Sequence, residues 1–154
     1  MPRTANKWLL AAGILSLLAS LMHIAIIIGG PDWYRAFGAG ERMARAAARG
    51  AIMPTLVTLG IASVLAIWAL YAFSGAGLIR RLPLLRTGLV VITAIYLARG
   101  LALFPALIFR PDLVDGFIFW SSFVVLGYGA TYAIGTFKAW DGMSKANLAD
   151  DQSA

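Results

Sequence analysis

The sequence predicts an all-α, polytopic membrane protein: an antiparallel bundle of four transmembrane helices with one amphipathic interfacial helix between the first and second spans. Three observations carry this expectation. Apolar residues make up 60% of the 154 positions and charged residues 13%, against roughly a quarter charged in an average soluble domain. The apolar excess falls in four windows, residues 8–29, 51–73, 87–109 and 116–137. Each is long enough, at about 1.5 Å per residue, to cross a hydrocarbon core of about 30 Å. None alternates with the period of two of a barrel strand, and a segment in lipid must satisfy its own backbone, so the windows are read as helices.

The first window follows Arg3 and Lys7, a charge pattern shared with signal peptides. Its apolar run exceeds the usual length of about 7–15 residues and no A-x-A site follows, so it is read as a span. Gly29-Gly30-Pro31 ends it, and Asp32 is placed to cap an interfacial helix over 33–48. At about 100° per residue, Arg35, Arg42, Arg45 and Arg49 share one stripe, opposite Trp33, Phe37, Met43, Ala44 and Ala47. A helix of this kind lies in the membrane plane, with its arginines on anionic lipid headgroups. Glu41 is expected to pair with Arg45, four residues on.

The second window, 51–73, is followed by the breakers Gly75, Gly77 and Pro83. Inside the third, Pro105 removes a backbone N–H and frees a carbonyl that some donor should satisfy. Arg110-Pro111-Asp112 then makes a tight turn into the fourth, where Gly127, Thr131 and Gly135 repeat the small-xxx-small spacing of a packing seam. Residues 1–140 form one membrane domain, and residues 141–154 read as a polar, frayed tail.

The net charge of +6 comes from residues that flank the spans, which points to lipid headgroups and away from nucleic acid. With four spans, Arg3, Lys7, Arg80, Arg81, Arg86, Lys138 and Lys145 lie on one side, against Arg35, Arg42, Arg45, Arg49 and Arg110 on the other. The positive-inside rule then puts both termini in the cytoplasm, and a bacterial inner membrane is the expected location. The absence of cysteine excludes thiol nucleophiles, thiolate metal sites and iron–sulfur clusters, and a single histidine excludes a two-histidine site within one chain. Asp112 and Asp115 read as dipole partners at the start of the fourth helix, so neither metal nor cofactor is expected. G-x-x-x-x-G-K-[ST], G-x-S-x-G and a complete G-x-G-x-x-G are all missing.

Arg99 is the one permanently charged residue inside the four windows. A charge at mid-membrane costs about 2.5–3.5 kcal/mol on insertion scales and usually faces a protein interior or a polar cavity. Tyr96 shares its face one turn earlier. His23, with Ser16 and Ser20 on its own face, lies at a depth from which it reaches the same region. The expected ligand-binding set is therefore Arg99, His23, Tyr96 and Ser20. Three function classes follow. The first is a protein that binds a lipid or small lipophilic amphiphile in an intramembrane pocket, or serves as an accessory subunit of a membrane partner. The second is a membrane-embedded enzyme on a lipophilic substrate, with His23 as acid or base, Arg99 as clamp and Tyr96 as donor. The third is a transporter or channel component, for which a homo-oligomer is expected because four helices enclose little space.

Glu41-Arg42-Met43-Ala44-Arg45-Ala46, followed by Pro54 and Gly60, resembles the opening of the E-R-x-x-R-A motif of the MAPEG family, small four-span glutathione-dependent membrane enzymes. The resemblance implies a four-span fold and a membrane enzyme. It covers about ten residues, and the chain departs from the pattern beyond them. Arg49 and Ile52 stand where the family continues with Asn and Glu, and Arg99-Gly100 does not reproduce its third-helix Arg-x-x-His, so glutathione binding is not carried over.

Overall fold

A computed structural model describes residues 5–151, with side chains through residue 143. These residues are helical, with no strand. The helices are α1 (Lys7–Gly29), α2 (Pro31–Ala36), α3 (Glu41–Ala48), α4 (Met53–Ala76), α5 (Leu85–Leu101), α6 (Leu103–Phe109) and α7 (Gly116–Asp151), with a 3-10 turn at Pro111–Leu113. Four segments are long and apolar enough to cross a membrane: Lys7–Gly29, Met53–Ala76, Leu85–Phe109 and Gly116–Met143.

The way these segments pack explains why they are apolar all round. On α1 the buried residues are mostly small, among them Ala12, Gly13, Ser16 and Ser20, and on α4 they include Ala62, Ala69, Ala72 and Ala76. Leu18, Leu21, Leu56 and Ile67 point outward, each more than half exposed. Small residues inside and large ones outside invert the soluble pattern; they suit helices that approach closely and are solvated by lipid tails. Less than a third of each span is buried by protein, 28% at most, so lipid has to cover the remainder.

Two antiparallel pairings dominate, α1 with α4 and α5 with α7, joined by contacts of α1 with α7 and of α4 with α5. The Asn6 N–H donates to Ala76 O at 3.2 Å at one end of the first pair, and Ser20 Oγ donates to Ala62 O at 2.8 Å further along. Gly135 permits the contact between α1 and α7: a Cβ there would stand 2.9 Å from the Leu9 backbone nitrogen.

Several elements differ from the sequence reading. The helix expected over 33–48 is two short helices, because Gly38 (φ 73°) and Gly40 (φ 84°) adopt left-handed conformations that end α2 before α3 begins. The third window is interrupted by a single turn residue, Ala102, between α5 and α6, where the backbone stays in the right-handed helical region (φ −58°, ψ −18°). Pro105 cannot donate to Leu101 O, and its ring crowds that carbonyl. Helix α7 runs through Trp140 to Asp151, so the backbone of the expected frayed tail is helical up to that point. Asp115 caps α7 by accepting the Ile118 N–H at 2.7 Å. Asp112 lies before the helix and pairs with Arg110 at 3.0 Å instead of joining its first turn.

Candidate functional site

Midway along the spans, a chain of hydroxyl groups joins four helices. Tyr132 OH on α7 donates to Trp68 O on α4 at 3.0 Å. A carbonyl only accepts, so that bond uses the phenol's one proton, and the 2.9 Å contact to Ser16 Oγ on α1 must be donated by serine. The serine proton is then committed as well, and Tyr96 OH on α5 donates to Ser16 Oγ at 3.1 Å. The direction is thus Tyr96 to Ser16 to Tyr132 to Trp68 O, with every hydroxyl proton placed. The surroundings are aromatic: Tyr96 meets Trp68 edge-on at 4.9 Å and Tyr128 at 5.6 Å between centroids. Ser16 and Tyr132 are fully buried.

Arg99 is one turn beyond Tyr96, in a different setting. Its guanidinium donates to Ser122 Oγ at 3.3 Å, and that hydroxyl spends its own proton on Ile118 O at 2.7 Å. Ser122 lies six residues into α7, about 9 Å from its start at a rise of 1.5 Å per residue. Arg99 therefore stands level with the second turn of α7, away from the middle of that helix. Its side chain is exposed and makes no ion pair with a described residue. Of the five donors of a guanidinium, most are left for an outside acceptor.

Arg99 and Tyr96 line a groove of about 440 Å³ between α4 and α5. Val57, Ile61, Val64 and Trp68 form its α4 wall, Ile95 extends the α5 wall and Val125 of α7 contributes. Along α5, Arg99 is the lining residue furthest toward the α6 end, and it is the one charged residue in an otherwise apolar and aromatic lining.

The expected four-residue pocket is not assembled as one site. Tyr96 and Arg99 share the groove, but the Tyr96 hydroxyl points into the bundle, to Ser16. Ser20 is occupied by Ala62 O on α4. His23 donates from Nδ1 to Ala19 O on its own helix at 2.7 Å, and no hydrogen bond joins it to Arg99 or Tyr96. The proposed small-residue seam also divides: Gly135 packs on Leu9, whereas a Cβ at Gly127 would meet nothing.

On the α2–α3 side, Arg35 bridges the two helices by donating to Glu41 at 2.8 Å and to Asp32 at 2.8 Å. Glu41 also meets Arg45 at 3.3 Å, so the expected partner is the more distant of two. The Arg35 hydrogen bond holds the Glu41 carboxyl below its ordinary range. The arginine stripe is therefore divided, with Arg35 on α2 in an ion-pair network, Arg42 and Arg45 on α3, and Arg49 at the end of α3 donating to Arg45 O.

Sequence reasoning missed Tyr132, Trp68 and Ser122. Tyr128 and Tyr132, one turn apart in an apolar span, were a legible signal of a polar interior. The Trp68 carbonyl was not legible, since every residue has one. No group of His, Asp or Glu among the described residues is arranged to hold a metal.

Four apolar helices and a buried hydroxyl core define a multi-pass membrane protein. No protein family, curated protein or solved structure matches this chain. The resemblance of Glu41–Ala46 to the MAPEG motif thus gains no support beyond its own residues, and Glu41 is engaged by Arg35 and Arg45.

Proposed function

We propose that the protein is an integral membrane binder of an acidic amphiphile, a lipid or fatty-acid-like molecule. Its four spans form an antiparallel bundle, and α2 and α3 lie at the membrane surface with Arg42, Arg45 and Arg49 toward lipid headgroups. One observation carries the reading: the groove between α4 and α5 has apolar walls, and the one charged residue that borders it, Arg99, makes a single hydrogen bond, at 3.3 Å, to a described residue. An anionic head would occupy the free guanidinium donors, and an acyl chain would lie along Val64, Ile95 and Trp68. The interior hydroxyls are committed to one another, which favours this groove over a pocket inside the bundle.

The test is native mass spectrometry of the full chain released gently from membranes. The wild type should retain an acidic lipid. Gly60→Leu should expel it, since an added Cβ at Gly60 meets no neighbour and its side chain can fill the groove. Arg99→Met should lose it as well. Equal retention by both variants and the wild type would sink the proposal. For topology we propose that both termini face the cytoplasm of a bacterial inner membrane. A cysteine introduced at Gly77 should then resist an impermeant thiol reagent in intact cells, and labelling there would refute it.

A further inference from the structure

At the opposite end of the molecule from Arg99, a second cavity of about 470 Å³ opens between the start of α1, the end of α4, the start of α5 and the distal part of α7. Its floor includes Ile79, Leu85 and Met143, and its charged members are Arg81 and Lys138. The other polar side chains in its wall are already engaged. Asn6 accepts from the Trp8 and Leu9 N–H groups and donates to Gly135 O at 2.8 Å. Ser74 Oγ donates to Arg80 O at 3.1 Å and accepts the Leu82 N–H at 3.0 Å. Carbonyls at the end of α4 are taken too: Phe73 O by Leu78 N–H, Ser74 O by Gly77 N–H and Ala76 O by Asn6 N–H.

The donors left over are cationic. Arg81 is half-buried and donates to Met143 O, and neither it nor Lys138 forms an ion pair with a described carboxylate. The Lys138 ammonium stands 5.5 Å from the Trp8 ring. Arg86 donates to Trp140 O at 3.2 Å and lies 4.2 Å over the Trp140 ring. Arg86 thus ties α7 to α5 and Arg81 ties it to the loop after α4, so Arg81 and Lys138 come to the cavity from two different elements. Lys7, Arg80 and Arg86 belong to the same end of the bundle, and Asp141 is its one acidic residue among those with described side chains. A wall whose side-chain acceptors are used and whose remaining side-chain donors are positive favours an anion that brings acceptors only. The volume and the apolar floor suit an organic group rather than a small inorganic ion.

We propose that this cavity binds a phosphate-bearing organic group, held by Arg81 and Lys138, which reaches it either as the headgroup of an anionic lipid or as a soluble organic phosphate. Calorimetry on the full chain in detergent, at constant ionic strength, tests this with short-chain phosphatidylglycerol, glycerol phosphate and short-chain phosphatidylcholine. Saturable binding of phosphatidylglycerol, without binding of phosphatidylcholine, is expected. If glycerol phosphate binds as well, the source is soluble; if it does not, the source is lipid. Lys138→Met and Arg81→Lys should each weaken binding about tenfold, the scale of one charge-assisted hydrogen bond. Lys138→Arg should restore binding, and Arg110→Gln, at the other end of the molecule, should leave it unchanged. Lys138 is exposed, so its variants report on binding even if Arg81→Lys perturbs the fold. The proposal is overturned if neither anion binds saturably, or if Lys138→Met and Arg81→Lys bind as the wild type does.

Discussion

Tyr96 and Arg99 are one helical turn apart on α5, and the protein treats them in opposite ways. The Tyr96 hydroxyl belongs to a directed chain that ends on a carbonyl, with every proton assigned and four helices tied together. The Arg99 guanidinium has one hydrogen bond to a described residue, at 3.3 Å, and its side chain borders a groove whose lining surface is apolar. A satisfied polar network inside a membrane bundle rigidifies and specifies packing, whereas an under-satisfied charge needs something from outside. Polarity in a span is therefore not in itself a sign of function. What separates the two cases is the number of donors that remain unspent.

The contrast is broken most severely at Tyr132. Tyr132→Ala removes a fully buried ring as well as its hydroxyl and should cost about 3–5 kcal/mol, the range for large aromatic truncations. Tyr132→Phe keeps the ring and should cost only about 0.6–1.7 kcal/mol, the range measured for hydrogen bonds between membrane helices. Both are read from unfolding of the full chain in mixed micelles. Near-equal losses would mean that the hydroxyl chain, and not ring packing, carries the stability. A cycle of Ser16→Ala with Tyr132→Phe should show non-additivity, because the two residues share a bond.

Arg99→Met sharpens the other half. Replacing a charge that costs about 2.5–3.5 kcal/mol at mid-membrane, and less toward a face, should leave stability unchanged or raised. The same variant should lose its retained amphiphile. Destabilisation as large as that of Tyr132→Ala would erase the distinction and make Arg99 a structural residue bonded to Ser122.

Much of this was legible in the sequence. The four windows and the residue Arg99 could be read directly, because span length and a lone charge in lipid are properties of a linear chain. Which side chains meet was less legible. Ser16, Ser20 and His23 share a face by helical spacing, yet Ser20 reaches α4, Ser16 reaches α5 and α7, and His23 bonds back to its own helix. Spacing sets direction on one helix; the partner depends on how far each neighbour has slid along it. The groove was hidden for a related reason, since it arises from Gly60 on one helix facing Ile95 and Arg99 on another.

The smallest predicted effect concerns a third setting, where a charge is paired in the open. Glu41 is exposed and is held below its ordinary pKa of 4.5 by the Arg35 hydrogen bond. A carboxyl whose folded pKa is depressed contributes stability that is present above its unfolded pKa and is lost as pH falls through the folded value. The link between α2 and α3 should therefore hold at neutral pH and loosen in a window just below the usual carboxylate range. Carbon-detected titration of the Glu41 carboxyl should show the lowered midpoint, and Arg35→Gln should return it toward 4.5. Glu41→Gln should abolish the acid-dependent change in the environment of Trp33 on α2 while leaving the Tyr96–Ser16–Tyr132 chain and groove binding intact. If acid or Glu41→Gln alters retention of the amphiphile, the surface helices and the groove are coupled, and the separation of paired, satisfied and unspent polar groups fails at this point.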